Sequence, residues 1–151
     1  MECKYCKLIK NLDDVVLETK HWKAKLSDEQ SYLGRCVVFS KRHTADLSEL
    51  NQAEWEDLRN MVIKLEGGIR VSLGARMFNW ACLMNNAYQE RSPVPHVHWH
   101  VRPRYDKKVK IGGVLFEDRE FGHNYDRRRH RVISKEIREV VVKKIISGIR
   151  R

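Results

Sequence analysis

Three histidines alternate with hydrophobic residues in the stretch His96-Val97-His98-Trp99-His100-Val101. On an extended strand successive side chains point to opposite faces, so the imidazoles share one face at intervals of about 6–7 Å while Val97, Trp99 and Val101 share the other. Every buried ring nitrogen needs a partner, which makes a row of three a poor choice for a core. The isolated His21, His123 and His130 carry no such implication and read as ordinary core or surface residues. Two chemistries suit the row. Neutral imidazole is the commonest nitrogen ligand for metals. With a free pKa of about 6.5 it is also mostly unprotonated at neutral pH and able to attack phosphorus.

A second chemical feature opens the chain. Cys3-x-x-Cys6 has the spacing with which one segment offers two thiolates to a tetrahedral zinc, and alone it is half a site. A redox motif would follow a first strand, and haem attachment would need a histidine after Cys6. The missing ligands are therefore sought far along the chain, with His43 and His96 as candidates. The alternative is a pair of free thiols on a loosely held terminus. Cys36 and Cys82 lie inside apolar runs and are expected to pack.

The elements that must position these residues follow from periodicity. Asp14–Glu18 and the alternating Trp22, Ala24, Leu26 predict a hairpin-like start, and Arg35–Phe39 predicts an inner strand. Asn51 and Glu54 have the spacing of a helix capping box, and Trp55, Leu58, Val62, Leu65 and Ile69 form the expected buried stripe. Gly67-Gly68 weakens that helix and Gly74 ends it. Met77–Met84 predicts another strand, closed by the polar loop at Asn85-Asn86, and a last helix starts near Ser134 with Ile137, Val141, Ile145 and Ile149 on one side. Strands, helix, strands and helix make an α+β order.

Length and charge bound the rest. The chain has 151 residues, 42% of them hydrophobic, enough for one core; no repeat or linker asks for a boundary, so one domain over 1–151 is expected. No apolar run nears the roughly 18 residues of a membrane span, and the start lacks a signal peptide's apolar region. A soluble, cytoplasmic protein with no membrane partner is expected. Its net charge of +10 suits a polyanionic partner. Residues 126–151 hold ten Lys/Arg against three acids, densest at Arg127-Arg128-Arg129-His130-Arg131, which reads either as a solvated helix face or as a contact for polyphosphate or nucleic acid.

The run His96-Val97-His98-Trp99-His100-Val101-Arg102-Pro103-Arg104, with Phe78-Asn79-Trp80 and Asn85 eleven residues before the first histidine, resembles the signature of the histidine-triad (HIT) family. The resemblance implies a HIT-like α+β fold: an antiparallel sheet of about five strands, one long helix packed on it, and a C-terminal helix over about 134–151. It also implies a homodimer that cleaves nucleotides at the α-phosphate. On that likeness His98 would be the nucleophile, forming a nucleotidyl-histidine intermediate that water releases. His100 would hydrogen-bond the phosphate, and Asn85 would lie near phosphate or ribose. Many members carry a Gln four residues before the first triad histidine, where this chain has Ser92; Gln89 is nearby. Both enter the expected substrate-binding set, and the departure leaves the leaving group open. Zinc-containing relatives resemble the arrangement Cys3, Cys6, His43 and His96, a closed and hence structural site.

The expected function is thus hydrolysis or nucleotidyl transfer on adenosine-type nucleotides, whether dinucleoside polyphosphates or nucleoside phosphoramidates. The alternatives are a non-catalytic nucleotide or nucleic-acid adaptor using the same pocket and the basic C-terminus, and a hydrolase whose triad itself holds a catalytic metal.

Overall fold

The computed structural model describes residues 2–151. Its sheet is built from β1 (Val15–Glu18), β2 (Trp22–Leu26), β3 (Cys36–Ser40), β4 (Met77–Ala81) and β5 (His98–Arg104). They lie in the order β1-β2-β3-β5-β4, and every neighbouring pair is antiparallel. This is the expected HIT-like α+β sheet of five strands. Helix α1 (Lys4–Lys10) precedes the sheet, α2 (Gln52–Leu73) joins β3 to β4, a hairpin of β6 (Val109–Ile111) and β7 (Val114–Phe116) follows β5, and α3 (Lys135–Ile149) comes last. No helix among the described residues is long and apolar enough to cross a membrane.

Alternation along the strands divides the sheet into two faces. Trp22, Ala24, Leu26, Cys36, Val38, Val97 and Val101 are buried in one core with Leu58, Met61, Leu65 and Ile69 of α2. Their strand neighbours, His98 and His100 among them, occupy the opposite face. The Asn51 side chain accepts from the Glu54 amide at 3.0 Å and the Glu54 carboxylate from the Asn51 amide at 2.9 Å, so the capping box starts α2 as its spacing predicts. Gly74 ends it in the left-handed conformation, at φ 80°.

Three expectations change. Trp55 is 42% exposed, because the buried stripe runs through Glu54, Leu58, Met61 and Leu65; Trp55 sits one position around the helix from Glu54. Gly68 is not merely a weak point: a Cβ on the facing Gly148 would come within 2.2 Å of the Gly68 carbonyl oxygen, so α2 and α3 meet backbone to backbone. The triad strand was expected over 96–101 but spans His98–Arg104. β3 ends at Ser40, so the ladder stops at the pair of Phe39 with His98, while β4 carries the pairing onward to Arg104. Pro103 is accommodated because β3 pairs with β5 only as far as Val101.

Candidate active site and metal centre

Helix α1, unforeseen in the sequence, makes Cys3 its N-cap residue and sets Cys6 in its first turn. This brings both thiols to the start of the triad. Cys3 Sγ lies 3.4 Å from His96 Nδ1, Cys6 Sγ 3.6 Å from the same nitrogen, Cys6 Sγ 3.5 Å from His43 Nδ1, and the two Nδ1 atoms are 3.3 Å apart. All four ligand atoms fall within 4.8 Å of one another. Zn–N and Zn–S bonds of about 2.05 and 2.3 Å at tetrahedral angles separate N from N by about 3.3 Å and S from N by about 3.5 Å. The four side chains fit that group, and the set Cys3, Cys6, His43 and His96 can hold a metal ion.

The surroundings orient the ligands. His96 is fully buried, and its Nε2–H donates to the Ser40 carbonyl at 2.8 Å, which leaves Nδ1 as a lone pair aimed at the other three groups. His43 is held through its neighbour: Arg42 donates to both Glu54 oxygens, at 2.7 and 2.8 Å, and those bonds pull the buried Glu54 carboxyl down to about 2. The capping box of α2 thereby also anchors the loop that presents His43.

His98 comes next along the face. Its Nδ1–H donates to the His96 carbonyl at 2.7 Å, so Nε2 carries the free lone pair. The ring is buried between Tyr5, with centroids 4.9 Å apart, and the stacked Phe39 at 6.0 Å. Burial lowers its pKa, with a smaller push from Lys4, and keeps the ring neutral at neutral pH. Tyr5 lies between Cys3 and Cys6 at the start of α1, so the segment that offers two candidate metal ligands also walls the nucleophile candidate. Cys82 is half-buried, and burial pushes its thiol pKa up, as expected of a packing residue.

His100 stands edge-on to His98 at 5.0 Å. Its pKa falls to about 4, first through burial and then through coupling to the neighbouring His98 ring and the positive charge of Arg35, Arg102 and Arg127. Its buried Nδ1 has no hydrogen-bond partner. Asn85 and Gln89 are exposed on a 3₁₀ turn, Asn85–Gln89, and Ser92 is exposed on the rim of a cleft of about 330 Å³ that Lys4 and Val94 also line. None of the three hydrogen-bonds His98 or His100 among the described residues.

Four of the ten cations of the basic end are engaged within the fold. Arg129 pairs with Glu120, Arg128 with Asp126, Arg131 donates to the Leu115 carbonyl, and Arg138 of α3 pairs with Asp14 and Asp28. Sequence reasoning stopped the alternation at Val101 and so missed that Arg102 and Arg104 continue the histidine face. It also missed Tyr5 and Arg35. Extending the period of two by four residues would have found both β5 arginines.

A family model described as HIT domain matches residues 10–107. An adenosine 5′-monophosphoramidase of Schizosaccharomyces pombe is 29% identical over 114 residues, which cover 74% of this chain and 81% of that protein. Among solved structures, a histidine triad nucleotide-binding protein from Sulfolobus tokodaii superimposes with a TM-score of 0.70 at 22% identity, over 98% of this chain and 92% of the other. A zinc-bound histidine triad family protein from Mycobacterium smegmatis does so with a TM-score of 0.62 at 17% identity, over 97% and 94%. At these identities the two structures speak for the fold.

Proposed function

The chain belongs to the histidine-triad (HIT) family, and from that premise we propose that it is a nucleotide hydrolase or nucleotidyl transferase acting at the α-phosphate of adenosine-type substrates. Dinucleoside polyphosphates and nucleoside phosphoramidates are the substrate classes; the relative from Schizosaccharomyces pombe is named for the second. The observation that carries the reading is the His98 tautomer: Nδ1–H is committed to the His96 carbonyl, so the nitrogen left to react is Nε2.

The chemistry takes two displacements. His98 Nε2 forms a bond to the α-phosphorus as the bond to the leaving group breaks, and the departing atom takes up a proton from solvent. Water then attacks the same phosphorus and gives its proton back to solvent, the N–P bond breaks, and the electron pair returns to Nε2. His100, neutral and unsatisfied at Nδ1, suits a hydrogen bond to a non-bridging phosphate oxygen. Asn85, Ser92 and Gln89 act on the phosphate, ribose or leaving group in this reading. Zinc held by Cys3, Cys6, His43 and His96 would have four protein ligands and no open position, and its contribution is architectural. One HIT-like domain over 1–151, paired as a homodimer, completes the proposal.

The test is acid-quench trapping with a radiolabelled nucleoside phosphoramidate. The expected result is a phosphorus–nitrogen adduct on His98, absent in His98→Asn, with turnover lost in that variant by at least about 10⁴-fold. Wild-type turnover by His98→Asn would overturn the assignment. Much of the basic cluster at 127–131 is engaged within the fold, which favours the enzyme over the nucleic-acid adaptor.

A further inference from the structure

Beyond His100 the triad face runs into a cavity of about 240 Å³ whose lining includes Arg35, Arg102, Arg127, Arg128 and Tyr32. Its position follows from β5. Arg102 is the next residue on the His98–His100 face, about 6–7 Å past His100. Cys36 pairs with Val101, so Arg35 enters from β3 beside Arg102. The turn that carries Arg35 is held by the buried Gln30, whose side chain bonds the Gly34 amide at 2.8 Å and the Arg35 carbonyl at 2.9 Å.

The charges in this cavity do not cancel. Glu29 is committed to Arg35 and to the amides of Ser31 and Arg131, and Asp126 is committed to Arg128. Arg102 is 7% exposed and has no carboxylate partner among the described residues; its Nη1 is buried with no hydrogen bond at all. The Tyr125 ring covers one side of its guanidinium at 4.0 Å. Arg127 is exposed at the mouth and also lacks an ion-pair partner among the described residues. Arg35 Nε is a further buried nitrogen of the lining without a partner. A guanidinium taken out of water without an anion is costly, and its planar fork matches the oxygens of a phosphate.

We propose that this cavity is a second-phosphate subsite: the ligand that presents one phosphate to His98 lays another, further along the same molecule, against Arg102, Arg35 and Arg127. The proposal rests on the reading of the His98 face as a phosphate site. The second phosphate has two chemical sources, a phosphate on the ribose or the distal part of a polyphosphate chain.

The experiment uses the full-length His98→Asn protein, which binds without turnover, in calorimetric titrations with adenosine 5′-monophosphate, adenosine 3′,5′-bisphosphate and adenosine 5′-triphosphate. The expected result is that the bisphosphate or the triphosphate binds at least about tenfold more tightly than the monophosphate, and which of the two does so identifies the source. Arg102→Gln should remove about 10- to 100-fold of that preference, with partial recovery in Arg102→Lys. Arg127→Gln, at an exposed position, should reduce it in the same direction and gives a readout even where a change at the buried Arg102 impairs folding. Equal affinity for all three nucleotides, or a preference that survives both substitutions, overturns the subsite. An arginine-dependent preference in a protein that never forms the His98 adduct would instead refute the hydrolase and leave the subsite standing. Adduct formation without the preference would do the reverse.

Discussion

Arg102 and Arg104 stand two residues apart on one face of β5, both buried, in opposite states of satisfaction. Arg104 donates to both oxygens of Asp118, to the Asn79 side chain and to the carbonyls of Glu120 and His123, at 2.6 to 3.1 Å. It ties the 118–123 segment to the sheet. Arg102 has an aromatic ring on one side and an unpartnered nitrogen on the other. One buried cation is structural cement, whereas the other awaits charge from outside the chain. The same contrast recurs among the histidines: His96 is bonded on one nitrogen and aimed at three ligands with the other, while His100 keeps a nitrogen idle.

The sharpest way to break this comparison is to truncate each arginine. Arg104→Leu strands the Asp118 carboxylate, 2% exposed, without its cation and should cost about 3–5 kcal/mol in denaturant unfolding. Arg102→Leu strands no buried carboxylate, so stability should stay within about 1 kcal/mol of the parent or rise. Equal losses at the two positions would erase the distinction.

Chelation sharpens the contrast among the histidines. Stripping the ion from a protein bathed in metal at about 1,000 times its Kd removes about 4 kcal/mol, on the order of 10 °C in Tm, with α1 losing hydrogen-exchange protection first. His43→Ala should pre-empt most of that shift.

The smallest effect is on pH dependence. His100 has a folded pKa of about 4, below the ordinary imidazole value of 6.5, so the unfolded chain takes up a proton between those limits and the native state does not. Its contribution to stability is complete above pH 6.5 and is lost as pH falls towards 4. His100→Gln should remove one proton's worth of slope from stability in that window, and a nucleotide phosphate bound beside His100 should raise its folded pKa towards 6.5, narrowing the window and shrinking the wild-type loss.

What could be read in the sequence was whatever depends on short spacing. The alternation of His98 and His100, the Asn51/Glu54 box and the stop at Gly74 are local patterns with a single geometric meaning, and the structure carries each of them, while His96 lies just before the strand. The metal set was legible because its residue types are few, although the helix that delivers the thiols was not. Seven residues with one buried side chain, Ile9, leave almost no periodic signal. The β6–β7 hairpin was missed for the same reason, its three-residue strands flanking Gly112-Gly113. Trp55 was misassigned because hydrophobicity alone cannot say that Glu54, tied to Arg42, takes the buried position instead. Arg102 looked like part of a polar exit from the strand, and only the register beside Arg35 turns it into half of a cavity.

The lock on the His98 ring is made by a peptide oxygen, that of residue 96, while the imidazole of the same residue turns towards the cysteines. Any amino acid at that position supplies the oxygen. Sequence drift could therefore exchange the ligand, and gain or shed the ion over many generations, without altering which nitrogen of the neighbouring ring is offered to phosphorus. Scaffold and reactivity are inherited through different atoms of one residue and need not change together.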